Sequence, residues 1–289
     1  MHASAHSTGI LVFSHANGFP AGTYRQLFDL WRAAGWSVLA VEKFGHDPAY
    51  PVRSNWSPTR DELLAFIQRE APHQKVHLVG HSLGGILSFL AACKKPEIAA
   101  SVVLIDSPLI GGWRAHGLQV FKATGLVKRV SPGKISQRRR WQWPSLDAAR
   151  EHFLSKTAFA RWDRRVLEDY LRCGFEPDAA TGGVRLAFRR EVETRIYNTL
   201  PHHFNGLMQR RAPRCPVHFI GGTQSAEMRR AGMEATRRLV KDRVTMIEGT
   251  HLFPMERPEQ TAAAVLAALA AAVAQPEVAG STAAEAAAA

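Results

Sequence analysis

Cysteine is scarce in this chain. Cys93, Cys173 and Cys215 are all there is in 289 residues. Three thiols, far apart and not in ligand spacing, suggest neither a disulfide framework nor a zinc site, so buried free thiols are expected. No apolar run reaches the length that spans a bilayer. The opening MHASAHSTG has no basic segment followed by an apolar one. A secretion signal is therefore not expected, and a cytoplasmic location is the default expectation. Charged residues make up only 21% against 46% apolar, the balance of a soluble globular protein able to bury a full core.

What is abundant is positive charge, a net +12. It concentrates from Lys122 to Arg140, with QRRR at 137 to 140, and continues in arginines through Arg211. Aromatics are not interleaved there as they would be to stack on bases, so nucleic acid is not expected as a partner. A solvated basic face is the plainest reading, and an anionic substrate fits equally well.

Short continuous apolar runs recur at ILVF (10–13), WSVLAV (36–41), VHLV (76–79), SVVLID (101–106), VHFIG (217–221) and RVTMIEG (243–249). Each is too short for a buried helix and most are rich in Val and Ile, which predicts buried parallel strands. Helical patterns lie between them. TYRQLFDLWRAAG stops at Gly35, PTRDELLAFIQRE has Ser57 as its expected cap and Pro58 in its first turn, and LGGILSFLAACKK follows the third run. Alternation of strand and helix predicts an α/β fold with a parallel sheet covered on both faces. It breaks once, between Ser107 and about Arg214, where amphipathic pieces such as LDAAREHFLSKTAF and WDRRVLEDYLRCG appear with no clear strand pair. The expected organisation is a core from residues 1–106 and 213–274, a helical cap inserted at 107–212, and a frayed tail at 275–289.

Within this frame, Gly80-His81-Ser82-Leu83-Gly84-Gly85 stands at a turn from strand to helix. A serine there, flanked by small residues, is a nucleophile elbow: the hydroxyl is lifted above the sheet and the next helix points its free N–H groups at the same place. The bland alternative, a serine that only shapes the turn, leaves Gly85 and the preceding loop unexplained. Attack on an ester carbonyl needs fixed N–H donors for the developing oxyanion. The residue after the serine, Leu83, and the loop VFSHANGFPAGTY are placed to offer them. Among thirteen histidines, only His251, in IEGTHLFPMERPEQT, directly follows the final strand and precedes a helix. It is the expected general base.

These segments together resemble the α/β-hydrolase fold family. The resemblance runs over residues 9–106 and 213–274. His15-Ala16-Asn17 stands where the family has His-Gly-X, which implies the backbone N–H groups of Asn17 and Leu83 as oxyanion donors, with Phe19 as the alternative to Asn17. His15 then has a structural role, as do Glu42, Gly45 and His46 of VEKFGHDPAYPV. The acid of the triad usually follows the penultimate strand, where Ser225 stands here with Glu227 two residues on. Some branches carry it one strand earlier, at Asp106. Asp106 is favoured and Glu227 is the alternative. The first strand here corresponds to the family's third, so the resemblance implies a core of six strands without the family's two leading ones. The implied activity is a serine hydrolase acting on carboxylic esters or thioesters through an acyl-enzyme, with no metal or organic cofactor and a small acyl substrate as partner. Acyl transfer, cofactor-free lyase or C–C hydrolase chemistry, and ligand binding without chemistry are the alternatives.

Overall fold

The computed structural model describes residues 8–111 and 133–274; the tail expectation, and the part of the cap expectation at 112–132, lie outside them. Six runs form six parallel strands: β1 Gly9–Ser14, β2 Trp36–Ala40, β3 Val76–His81, β4 Ala99–Ile105, and, after the insertion, β8 Val217–Gly222 and β9 Val244–Ile247. Their order in the sheet is β2-β1-β3-β4-β8-β9. All six residues of β3 and of β8 are buried. That is why the central strands read as unbroken apolar runs, whereas the edge strands β2 and β9 keep exposed positions.

Alternate residues of each strand face opposite sides. Leu11, Phe13, Val79, Val103 and Ile105 pack on one side with helices α1 (Arg25–Ala33) and α13 (Pro258–Ala274). Val12, Leu78, Val102 and Leu104 pack on the other with α2 (Ser57–Glu70) and α3 (Leu83–Lys94). Eleven of the twelve residues of α3 are buried, as expected of a helix that is apolar all round. Helix α2 differs from expectation at its start. Ser57 is its first residue, and the residue at the cap position is Trp56, in the left-handed region at φ 57° with no side-chain cap. The Trp56 indole explains the conformation: buried, it donates to Ile196 O (3.3 Å) and to Thr199 Oγ1 (3.1 Å).

Between β4 and β8 lie α4 Gly133–Arg138, β5 Gln142–Trp143, α5 Leu146–Leu154, α6 Thr157–Ala160, α7 Arg164–Cys173, β6 Phe175–Asp178, β7 Gly183–Leu186, α8 Arg190–Asn198 and α9 Phe204–Arg211. The amphipathic pieces expected to be helical are α5 to α7. The insertion is not wholly helical, however: β5, β7 and β6 form a small antiparallel sheet. Its strands have two to four residues and β6 contains Pro177, so none presents a periodic apolar run. Residues of this segment, among them Trp143, Phe153 and Tyr170, share a single hydrophobic cluster with the sheet residues Phe13 and Ile105. After β8 come α10 Ala226–Ala231 and α11 Glu234–Val240, and after β9 comes α12 Phe253–Glu256. No helix among the described residues is long and apolar enough to cross a membrane.

The chain steps from β1 outward to β2 and then returns to the other side of β1 with β3. At such a reversal the loops at the carboxyl ends of the two inner strands part and leave a crevice. Here these are the loop after Ser14 and the turn at Ser82, brought level by the pairing of Ser14 with Gly80. Ile105 pairs with His81 on one side and with Ile220 on the other, so Asp106 leaves the sheet at the same edge.

Candidate active site

Ser82 has φ 54° and ψ −113°, a conformation that side chains rarely adopt. Its N–H donates to Ile105 O at 2.9 Å. The neighbouring glycines make so sharp a turn possible. A Cβ on Gly80 would lie 2.3 Å from the carbonyl carbon of Gly84, and one on Gly84 would lie 1.9 Å from Ser14 O. The first turn of α3 thus rests on the backbone of both β1 and β3, which leaves the Ser82 hydroxyl no direction but outward. Gly84→Ala should therefore destabilise the fold by about 3 kcal/mol, the upper range for overpacking, because the obstructing atoms belong to backbone. Urea unfolding measures it, and a loss under 1 kcal/mol would contradict this packing.

His251 follows β9. Its Nε2 lies 3.0 Å from Ser82 Oγ and its Nδ1 lies 2.6 Å from Asp106 Oδ2. The carboxylate only accepts, so Nδ1 carries the ring proton and Nε2 is left to accept from the serine hydroxyl. Asp106 is fully buried, at φ 42°. Its Oδ1 accepts from Gly222 N at 2.8 Å and its Oδ2 also accepts from Ser225 Oγ at 2.5 Å. Ser225, standing where the family's acid is usual, braces the carboxylate from the turn after the neighbouring strand, while its own oxygen caps α10 by accepting from Met228 N. Glu227 Oε2 is 3.9 Å from His251 Nδ1, beyond hydrogen-bond distance, and its side chain is 42% exposed. The structure thus brings Ser82, His251 and Asp106 together and leaves Glu227 at the rim.

The loop after β1 is held by His15, whose Nε2 accepts from Phe44 N at 2.9 Å while Nδ1 donates to Ala16 O at 2.8 Å. Burial brings the pKa of His15 down to about 4, so it stays neutral and holds both bonds. The N–H groups of Asn17 and Leu83 have no acceptor among the described residues. Phe19 N donates to Ala16 O at 3.2 Å, which removes Phe19 from the candidate donors. The Asn17 side chain reaches the insertion, donating from Nδ2 to Glu193 O at 3.1 Å.

A second chain of bonds was not foreseen from the sequence. Ala16 N donates to Tyr24 Oη (3.1 Å), Tyr24 donates to His81 Nδ1 (2.7 Å), and His81 Nε2 donates to the carbonyl of His251 (2.9 Å). His81 is the residue before Ser82. Burial and the facing His251 ring push its pKa well below the ordinary range, which keeps the ring neutral and able to accept from Tyr24. The chain ties the oxyanion loop to the backbone of the histidine loop beneath the serine. The only sequence signal was a histidine at the variable position of the elbow.

Above Ser82 lies a cavity of about 740 Å³, walled on the core side by Leu83, Ile86 and His251 and on the other by insertion residues including Phe153, Phe159 and Tyr197. The cysteines play no part in it. All three are free, and burial raises their thiols, Cys93 to about 12 and Cys173 and Cys215 to about 11.

Comparison with known proteins places this geometry among relatives. The model of a family described as "Alpha/beta hydrolase family" matches residues 11–264. Monoglyceride lipase of Rattus norvegicus is 32% identical over 107 residues, covering 35% of each chain. A monoglyceride lipase homolog of Monkeypox virus is 31% identical over 134 residues, 42% of this chain and 46% of that protein. The chain thus spans between a third and a half of the length of the curated relatives it matches. Among solved structures, E-2-(acetamidomethylene)succinate hydrolase superimposes with a TM-score of 0.68 at 21% identity over 91% of both chains. A thioesterase domain from the curacin biosynthetic pathway superimposes with a TM-score of 0.65 at 17% identity, over 91% of this chain and 92% of that one. At these identities the structural likeness speaks for the fold.

Proposed function

The chain belongs to the alpha/beta hydrolase family, and from that premise we propose that it is a serine hydrolase cleaving carboxylic ester or thioester bonds through an acyl-enzyme. The observation that carries the reading is the continuous line of bonds from Ser82 Oγ to His251 to the buried Asp106. In this reading Ser82 attacks the carbonyl carbon as His251 Nε2 takes its proton, and Asp106 stabilises the imidazolium that forms. The backbone N–H groups of Asn17 and Leu83 receive the oxyanion; both are free of other acceptors among the described residues, and the second lies at the positive end of α3. His251 then passes the proton to the leaving alcohol or thiol. Water, deprotonated by the same nitrogen, releases the acid.

The acyl-enzyme is the direct test. With p-nitrophenyl butyrate, rapid mixing should give a burst of nitrophenol approaching one equivalent per chain. A fluorophosphonate should abolish turnover and leave its mass on the peptide containing Ser82. Turnover without labelling of Ser82, or labelling at another residue, would overturn the reading.

A further inference from the structure

The wall of the cavity that the insertion supplies carries more positive charge than the described residues neutralise. Arg139, Arg140, His152 and Lys156 line it side by side, from the end of α4 and from α5 to α6. Arg139 is paired: its Nη1 lies 2.7 Å from Glu193 Oε2. Arg140 rests on the Trp143 ring, 5.4 Å from its centroid, and donates from Nε to Gln142 O, which fixes its direction while leaving its charge uncompensated. Neither Arg140 nor Lys156 has a carboxylate within ion-pair distance among the described residues. Burial, and then the fields of Lys156, Arg140 and Arg139, hold His152 below its ordinary pKa. The other acids on the cavity are Asp106, which His251 holds, and Glu227, which lies 3.9 Å from both His251 and Arg230. The lining also has an apolar, aromatic part that includes Phe19, Phe153 and Phe159.

We propose that this wall is an anion-binding subsite, and that the substrate is an amphiphilic ester or thioester with an apolar stretch at the reacting carbonyl and a carboxylate or phosphate held by Arg140 and Lys156. The proposal rests on the hydrolase reading and deepens it by naming the substrate class. Arg140 and Lys156 are exposed at this wall, so each is free to reach such a group with a charge-assisted bond, and the cationic field also draws it in from solution.

Paired substrates differing only in charge test it. Mono-p-nitrophenyl adipate against its methyl-capped neutral counterpart places the anion on the acyl side. Hexanoyl-coenzyme A against hexanoyl-N-acetylcysteamine places it on the leaving group. In at least one pair the anionic member should be favoured in kcat/KM by about tenfold or more, equivalent to one charge-assisted contact. The preference should shrink in about 0.5 M salt. In the variant Arg140→Gln with Lys156→Gln the ratio should fall to about one. The ratio is independent of how much variant protein folds. Equal rates within both pairs for the natural protein, or a ratio unmoved in the double variant, would overturn the proposal. Titration calorimetry of Ser82→Ala with octanoate, octyl phosphate and octanol reads the same selectivity without turnover. A protein that hydrolyses nothing yet binds the anions over octanol would sink the hydrolase reading alone, and equal binding of the three would sink the subsite.

Discussion

Ser82→Ala is expected to lower kcat for any ester the protein cleaves by about 10⁶-fold, to the level that the oxyanion donors sustain alone. The size follows from the dependence of the parts on one another. His251 Nε2 has its bond to Ser82 Oγ and, without the hydroxyl, no nucleophile to deprotonate but stray water. For the same reason Ser82→Ala combined with His251→Ala should be hardly slower than either alone, since residues acting as one unit do not add. The fold should survive. Alanine meets the same backbone strain at φ 54° as serine does, and the hydroxyl makes no bond that holds an element in place. Burst titration, kcat and urea unfolding on one preparation separate the two effects. Retention of even a hundredth of the rate would mean that the nucleophile is elsewhere.

Asp106→Asn is expected to lower kcat by about 10⁴-fold with little change in KM. The asparagine can keep the bond from Gly222 N through its carbonyl oxygen. If its amide nitrogen faces His251 it donates to Nδ1, which forces the ring proton onto Nε2, and the nitrogen that should take the serine's proton is then occupied. Glu227→Gln should cost less than about tenfold, because an exposed carboxylate at 3.9 Å contributes only a screened interaction with the imidazolium. The comparison decides between the two acids: if Glu227→Gln collapses and Asp106→Asn does not, the role passes to Glu227.

How far the sequence could be read depended on whether a residue's surroundings are local. The six strands were legible because burial on both faces makes each a dense apolar run, and their alternation with helices implied the sheet. Ser82 and His251 were legible because their places are marked by the strand before and the helix after. Asp106 and Glu227 could not be separated in that way. What sets their surroundings apart is that β4 and β8 lie side by side, so that Gly222 at the end of one and Ser225 in the turn beyond it grip the carboxylate that follows the other. The link through Tyr24 and His81 joins residues 57 apart in sequence, and nothing near either announces it. The strands of the insertion were missed because two to four residues, one of them Pro177, carry no usable period. The left-handed cap of α2 was missed because its cause, the hold on the Trp56 indole, comes from residues about 140 positions away.

The residues proposed for the bond-breaking step and those proposed to choose the molecule belong to different stretches of chain. Ser82, Asp106, His251, Asn17 and Leu83 all come from the turns and the helix start that follow the carboxyl ends of the sheet strands, while Arg139, Arg140, His152 and Lys156 come from one continuous passage entered after β4 and left before β8. Heredity can act on the two separately. A descendant could rewrite that passage, by drift or by replacement of the whole stretch, and acquire a new diet while inheriting an unaltered blade.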